Sequence, residues 1–223
     1  MTKITNLILI GGGNSCIEII DLINDINKFH LNNKINIVGI LDDNIKIKNK
    51  KINDIKVLGK IDSIKKYLKY NFFLNIHSYK NRYARSAIIK KIKSLKKKFI
   101  NLIHPSSMIG KNVNIGIGNC IYNNCNIFSG ASIEDFNICM PNTSIASKSL
   151  LKTNNFIGKN VSLANNVKIN NNCSIQTNCS ILENVSLADG IRSMPNSLIT
   201  SSFKKKDILI GGYPAKYIID EKK

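Results

Sequence analysis

The chain has 223 residues, 43% of them hydrophobic, so it is long enough for two small domains with apolar cores. It contains no run of roughly 18 apolar residues, which argues against a membrane-spanning helix. The formal net charge of +19 is typical of proteins that bind nucleic acid. Because lysine, asparagine and isoleucine are over-used throughout, we interpret the charge as a composition bias and expect no nucleic-acid partner.

The first hundred residues alternate strand-like and helix-like segments. The chain opens with an apolar segment that runs into a glycine turn with no cleavage site after it, so we expect a first strand rather than a secretory signal, and a cytoplasmic protein. The alternation predicts a parallel sheet in an α/β domain over residues 1–100. The predicted strands span 7–10, 35–41, 57–58 and 72–76, and the predicted helices span 17–26, 62–68 and 83–95.

The loop after the first strand, with sequence GGGNSC over residues 11–16, leads into a helix. Backbone N–H groups at such a helix start favour anion binding, although a tight strand-to-helix turn is the alternative. Two carboxylates follow the second strand, where open α/β sheets contact ribose or base; a capping pair is their alternative role. The predicted substrate-binding residues here are Gly12, Gly13, Asn14, Ser15, Asp42 and Asp43.

From Ile103 the sequence period changes to six. A six-residue period fits a solenoid in which each hexad forms one side of a triangular coil and the apolar residue points inward. Three hexads make a coil, so fifteen hexads predict five coils of a left-handed parallel β-helix, within a domain over 101–223 that ends in a C-terminal cap. The predicted inward residues are Ile103, Ile109, Ile115, Ile121, Ile127, Ile133, Cys139, Ile145, Leu151, Ile157, Leu163, Ile169, Ile175, Ile181 and Leu187.

Small residues occupy the position four after most of these inward residues, and asparagine stands there at Asn119, Asn137 and Asn155. Five of the six cysteines lie in the repeats, where we interpret them as small buried side chains. No CxxC pair occurs and there are only three histidines, so we expect no metal site.

Six segments taken in order resemble the bacterial sugar O- and N-acyltransferases of the sialic-acid and bacillosamine acetyltransferase type. They are LILIGGG at 7–13, LDD at 41–43, NR at 81–82, NLIHP at 101–105, NVSLAD at 184–189 and GGYPAK at 211–216. The resemblance covers nearly the whole chain. It implies a Rossmann-like N-terminal domain that grips a nucleotide sugar, and a homotrimer that holds acetyl-CoA along the solenoid between subunits. It further implies an acetyltransferase that modifies a nucleotide-linked, often amino, sugar for surface glycans.

The resemblance also locates the catalytic positions, where this chain departs from the family. The family places a histidine and an acidic residue shortly before an Ile-Gly pair; counting back from Ile157-Gly158, these positions hold Thr153 and Asn154. Ser162 stands where a second histidine contacts the acetyl-CoA thioester. His77, which follows the strand over 72–76 where the family has glycine, is expected in the substrate crevice.

Two segments of the late coils correspond to the small residues that line the coenzyme A arm in the family. The chain has Gln-Thr-Asn around Thr177 and Met-Pro-Asn around Pro195. Proline removes a backbone donor, so coenzyme A binding here must differ in detail. Ser162, Thr177 and Pro195 are the predicted cofactor-binding residues.

Two functional hypotheses follow from these departures. In the first, the chain is an active acetyltransferase whose acceptor is an amine, because an aligned amine attacks a thioester without a strong base. Thr153 would then orient the amine as a hydrogen-bond acceptor, beside the neutral Asn154. In the second, the chain is a non-catalytic relative that keeps the trimeric scaffold as a binding protein.

Overall fold

The structure is a computed structural model that describes residues 2–30, 32–76 and 82–218. It divides into two compact units, Met1–Leu102 and Ile103–Lys223. The first is an α/β unit and the second a β-solenoid, and each is described by itself below.

The N-terminal unit contains a five-stranded sheet with the order β3-β4-β2-β1-β5. Every neighbouring pair is parallel except β3 and β4, which form an antiparallel hairpin at one edge. The strands are β1 (Lys3–Ile10), β2 (Asn33–Leu41), β3 (Lys51–Ile52), β4 (Ile55–Gly59) and β5 (Asn71–Leu74). The helices are α1 (Ser15–Phe29) and α2 (Arg82–Lys91), with 3-10 helices at Ile45–Ile47, Ile61–Tyr67 and Lys93–Lys98.

The core of this unit follows from its apolar runs. The second half of β1 and the end of β5 are fully buried, as expected for parallel strands covered on both faces. Helix α1 buries the side chains of Ile19, Ile23 and Ile26 at helical spacing. The four predicted strands and the first helix are present, although β5 ends at Leu74, and the helix predicted over 62–68 is a 3-10 helix over Ile61–Tyr67. The predicted helix over 83–95 ends as an α-helix at Lys91 and continues as a 3-10 helix.

The C-terminal unit is a solenoid whose short strands form three stacked sheets, called here face one, face two and face three. Face one contains Leu102–Ile103, Cys120–Ile121, Ile138–Cys139, Phe156–Ile157, Ser174–Ile175 and Arg192–Ser193, then the C-terminal hairpin Leu209–Gly212 and Ala215–Ile218. Face two contains Met108–Ile109, Asn126–Ile127, Ser144–Ile145, Ser162–Leu163, Ser180–Ile181 and Leu198–Ile199. Face three contains Asn114–Ile115, Ser132–Ile133, Leu150–Leu151, Lys168–Ile169 and Ser186–Leu187.

On faces two and three, and on face one as far as Arg192–Ser193, neighbouring strands are parallel and 18 residues apart, so each coil contains three hexads. The predicted register is confirmed, since Ile121, Ile127 and Ile133 are at most 1% exposed. Ile109, in the first coil, is 38% exposed. The regular strands also continue for two hexads beyond the predicted end at Leu187, with Ser193 and Ile199 buried at the inward position. The apolar pattern did not predict this extension because the inward residue Ser193 is polar. Its hydroxyl accepts a hydrogen bond from the backbone N–H of Gln176.

The corners of the coils adopt a left-handed backbone conformation. Every sixth residue from Asn112 to Asn196 has a φ between 56° and 74°. Glycine and asparagine tolerate this conformation best, and they occupy all of these positions except Phe136 and Lys148. Part of the asparagine excess in this chain therefore has a backbone cause rather than a compositional one.

Three buried asparagines form a column inside the solenoid. Asn119, Asn137 and Asn155 are each at most 1% exposed. The side-chain oxygen of each accepts the backbone N–H one coil further on, over 2.8 Å at Asn137, 2.8 Å at Asn155 and 2.7 Å at Cys173. The column ties successive coils together with hydrogen bonds that the sheets do not supply.

Candidate functional site

A cleft of about 380 Å³ lies at the carboxyl ends of the strands in the N-terminal unit. Parallel α/β sheets bind ligands at this edge, because loops from several strands meet there. Five of the predicted substrate-binding residues line the cleft, and Gly12 does not. The lining comprises Gly11, Gly13, Asn14, Ser15, Asp42, Asp43, Ile61, Asn75, Ile76 and Ile88.

The two carboxylates hold the loops that surround this cleft. Asp42 accepts the backbone N–H of Gly12 over 2.6 Å and that of Asn44 over 2.7 Å. Asp43 accepts the N–H of Ile61 over 2.9 Å. The N–H of Gly12 is thus directed at a carboxylate of its own chain rather than into the cleft, and Asp42 has a structural role in addition to the predicted ligand contact.

Asn75, which the sequence analysis missed, connects the glycine loop to the end of β5. Its side-chain oxygen accepts the hydroxyl of Ser15 over 3.1 Å, and its amide group donates to the carbonyl of Gly11 over 3.1 Å. A Cβ at Gly11 would lie 2.5 Å from the carbonyl oxygen of Asn75, so only glycine fits at this crossing. In the sequence, Asn75 could have been recognised as a candidate site residue because it is a polar residue directly after a buried strand.

Cys16 lies buried at the start of α1, behind the loop. Burial raises the pKa of its thiol to about 11, and the nearby charge of Asp42 adds to this effect, while a hydrogen bond with Asn75 opposes it. The thiol is therefore neutral near pH 7 and contributes a small packed side chain to the loop. His77 lies outside the residues that the structure describes.

In the solenoid, Thr153 lies at the corner between face three and face one. Its hydroxyl donates to the carboxylate oxygen Oε2 of Glu134, one coil earlier, over 3.1 Å. Asn154 occupies the left-handed corner position with φ 64°, and its amide donates to the side-chain oxygen of Asn172 over 2.7 Å. Asn154 thus has an architectural role, while Thr153 contacts an acidic residue that the sequence analysis did not single out.

The three predicted cofactor-binding residues lie elsewhere on the solenoid. Thr177 and Pro195 follow face-one strands and are 18 residues apart, so they stack at the corner between face one and face two. Ser162 points outward from face two. Within one chain, Thr153 therefore lies on one edge of the prism, Thr177 and Pro195 lie on the next edge, and Ser162 lies on face two.

Three further properties of the described residues concern metal sites, cysteines and membrane spans. Among residues 2–30, 32–76 and 82–218, no group of three or more histidine, cysteine, aspartate or glutamate side chains has the arrangement of a metal site. All six cysteines are buried and free of disulfides. The helices in the same ranges are all too short or too polar to cross a bilayer.

No known family profile matches the chain, and no curated protein has a significant sequence match to it. Solved structures nevertheless share its architecture. A mutant of the GDP-perosamine N-acetyltransferase of Caulobacter crescentus, in complex with CoA and GDP-perosamine, has a TM-score of 0.82 at 17% identity, covering 96% of this chain and 97% of its own.

Two further structures match over similar lengths. The acetyltransferase domain of PglB from Neisseria gonorrhoeae, in complex with acetyl coenzyme A, has a TM-score of 0.67 at 16% identity, covering 96% of this chain and 98% of its own. WeeI from Acinetobacter baumannii has a TM-score of 0.60 at 15% identity, covering 97% of this chain and 100% of its own. At these identities the likeness establishes the fold, and the stacked parallel sheets fit the expected left-handed β-helix.

Proposed function

We propose that this chain is an acetyl-CoA-dependent acetyltransferase that modifies a nucleotide-linked amino sugar for surface-glycan biosynthesis. The observation that carries the proposal is the match over 96% of the chain to an N-acetyltransferase in complex with CoA and a GDP-linked sugar. That match covers both the α/β unit and the solenoid, so the chain has the same two kinds of unit as an enzyme that binds CoA and a GDP-linked sugar. Acetyl-CoA as donor also suits the cytoplasmic location expected from the sequence.

The cleft of the N-terminal unit is the proposed nucleotide-sugar site, in a Rossmann-like domain. Gly13 and Asn14 are exposed at the mouth of the cleft, and a Cβ at Gly13 would meet nothing within 4 Å. The adjacent start of the 15-residue helix α1 favours a phosphate group through its N–H groups and its dipole. Ser15, Asp42 and Asp43 then contact the remaining polar groups of the nucleotide, and Gly12 shapes the loop.

The acyl-transfer site is proposed to form between subunits of a homotrimer. Thr153 and the stacked pair Thr177 and Pro195 lie on different edges of one prism. Three prisms packed around a threefold axis bring an edge of one subunit next to a face of its neighbour. Acetyl-CoA bound along Ser162, Thr177 and Pro195 of one subunit would then present its thioester to Thr153 of another.

Thr153 is proposed to orient the amine group of the acceptor sugar. The hydroxyl hydrogen of Thr153 is directed at Glu134, so the lone pairs of Oγ1 are available to accept a hydrogen bond from the amine N–H. A sugar amine is partly unprotonated at mildly alkaline pH, and alignment against the thioester supplies most of the rate effect. A hydroxyl acceptor would require a strong base, a role that neither Thr153 nor the neutral Asn154 can fill.

Thiol release from acetyl-CoA, measured with a panel of UDP-, GDP- and dTDP-linked amino and hydroxy sugars, tests this function. We expect turnover on amino sugars only, with a rate that climbs with pH as the amine loses its proton. Thr153→Ala should lower kcat by at least about fivefold, the effect of losing one hydrogen bond of ~1 kcal/mol. Thr153→His combined with Asn154→Asp should raise the rate near neutral pH.

Two results would contradict parts of the proposal. Turnover on a hydroxy sugar that Thr153→Ala abolishes would exclude the amine mechanism. Absence of thiol release by both the wild type and the double variant across the whole panel would favour a non-catalytic trimeric scaffold. The presence of Thr153 in place of the family histidine is the reason for considering this alternative function.

A further inference from the structure

The contact between Thr153 and Glu134 joins two neighbouring coils at one corner of the solenoid. The solenoid holds only five acidic residues between Ile103 and Ile218, in a chain of net charge +19. Among the described residues, no lysine or arginine forms an ion pair with Glu134. Its exposed carboxylate instead accepts the hydroxyl of Thr153 over 3.1 Å. The carboxylate is thus open to solvent and to a substrate, and its charge is not neutralised by a cation.

Both residues are held on rigid backbone. The N–H of Glu134 donates to the carbonyl of Leu151 over 2.8 Å, and its carbonyl accepts the amide of Asn137 over 3.0 Å. The N–H of Thr153 donates to the side chain of Asn171 over 3.2 Å, and its carbonyl accepts the N–H of Asn172 over 3.1 Å. A fixed backbone on both sides keeps the two side chains within hydrogen-bond distance.

Thr153 also departs from the pattern of its own corner. The residues stacked there in the coils on either side use a side-chain oxygen to accept the backbone N–H of the preceding coil: Asp135 accepts from Ile117 over 3.0 Å and Asn171 from Thr153 over 3.2 Å. One coil further, Asp189 accepts from Asn171 over 2.9 Å. In this series Thr153 instead donates its hydroxyl to the carboxylate of Glu134 in the preceding coil. The contact still links the two coils, but it also places the hydroxyl beside an exposed carboxylate.

We infer that Glu134 is the terminal proton acceptor of the acyl transfer and that it acts through Thr153; this inference rests on the proposed function. The amine nitrogen attacks the thioester carbonyl carbon and forms the N–C bond, the π electron pair of the carbonyl moves to its oxygen, and nitrogen becomes positively charged. The nitrogen passes a proton to Oγ1 of Thr153 while the hydroxyl proton of Thr153 moves to Oε2 of Glu134. The C–S bond then breaks, the amide forms, and the thiolate leaves and is protonated as Glu134 gives up its proton through water.

A carboxylate is a weaker base than an imidazole, but the chemistry of an amine acceptor makes it sufficient. Nitrogen that has attacked a carbonyl is cationic and therefore far more acidic than the free amine. A hydroxyl acceptor would instead have to lose its proton during the attack, for which a carboxylate is poorly suited. Glu134 thus restricts the enzyme to amines as well as receiving the proton.

The test compares kcat and KM of the wild type with those of Glu134→Gln, Thr153→Val and the double variant, using the amino sugar that the panel identifies. Glutamine keeps an oxygen that accepts the hydroxyl of Thr153 but cannot receive a proton. We expect Glu134→Gln to lower kcat by about 100-fold with KM unchanged, as for the loss of a general base. Thr153→Val should have a similar effect, and the double variant should be no worse, because both changes break one relay.

A matched control and a rescue experiment separate chemistry from structure. Glu183 is also exposed and accepts a side-chain hydrogen bond from the neighbouring coil, from Asn165 over 3.0 Å, so Glu183→Gln should keep wild-type activity. Formate should restore part of the activity of Glu134→Ala, because Glu134 is exposed and a small carboxylate can reach the position. Wild-type activity in Glu134→Gln would overturn this inference alone, whereas inactivity of the wild type on the whole panel would overturn the proposed function and this inference with it.

Discussion

Replacement of Asn155 by valine tests the buried asparagine column. The Asn155 side chain is 1% exposed, accepts the N–H of Cys173 over 2.7 Å and donates to the carbonyl of Lys152 over 2.9 Å. Valine has a similar volume and occurs at equivalent small positions, but it can neither accept nor donate. The change therefore removes one buried and one partly buried hydrogen bond without creating a large cavity.

The expected magnitude follows from the two partners that lose their hydrogen bonds. Each buried polar group deprived of a partner costs about 1–3 kcal/mol, so Asn155→Val should lower the free energy of unfolding by about 2–6 kcal/mol. With a urea dependence of about 2–3 kcal/mol per molar, the midpoint of the solenoid transition should fall by about 1 M or more. The chain has no tryptophan, so unfolding is followed by far-UV circular dichroism.

Cys173→Val is the matched control, because Cys173 lies in the same column and its thiol is only a weak donor, to the carbonyl of Ala188 over 3.1 Å. We expect a loss below about 1 kcal/mol for this nearly volume-conserving change. A urea midpoint of Asn155→Val that matches that of the control would refute the reasoning, since the hydrogen bonds of the column would then contribute no net stability.

Two further predictions concern stability. Lys148 has a φ of 61° between Gly130 and Asn166 in its corner column, so Lys148→Asn should relieve about 1 kcal/mol of backbone strain and raise the Tm by about 2–4 °C by calorimetry. Lys159→Asn, at an exposed position that precedes the corner, should change nothing, and an equal gain there would disprove the strain argument. Partial burial raises the pKa of Asp189, but hydrogen bonds from the backbone and side chain of Asn171 and the ammonium of Lys206 outweigh it and leave the pKa below the ordinary 3.8. A carboxylate with a lowered pKa stabilises the fold at pH values above its ordinary pKa, and this stabilisation is lost as the pH falls through the pKa of the folded state. Asp189→Asn should therefore reduce the free energy of unfolding at pH 7. The stability of the variant should also fall less steeply than that of the wild type below about pH 4. Urea midpoints of the variant and wild type that stay parallel down to about pH 3 would exclude this electrostatic contribution.

The solenoid could be predicted from sequence because one requirement, an inward apolar residue, repeats at every sixth position. The prediction stopped at Leu187 because Ser193 satisfies the inward position by hydrogen bonding rather than by apolar burial. In the N-terminal unit, β3 was missed because it has only two residues, although Asn53 and Asp54 provide a turn with positive φ before β4.

The candidate sites were predictable to a smaller extent. The loop over 11–16 and its carboxylates could be located because their positions at strand ends follow from the alternation of strands and helices. The contact between Glu134 and Thr153 could not, because the two residues are 19 positions apart and meet only when strands Ser132–Ile133 and Leu150–Leu151 align in register. Hydrogen bonds across coils depend on this alignment and on side-chain direction, neither of which a single sequence displays.

Because each coil has 18 residues, the length of an insertion or deletion determines where the residues after it lie on the solenoid. A six-residue insertion between Thr177 and Pro195 would rotate Pro195 by one side of the prism, away from the edge that it shares with Thr177. An 18-residue insertion would leave Pro195 on its edge and move it along the axis by one strand spacing, about 4.8 Å. Changes in chain length can therefore adjust the distance along the axis between the proposed acceptor residue Thr153 and the proposed donor residue Pro195 in fixed steps, provided that whole coils are gained or lost.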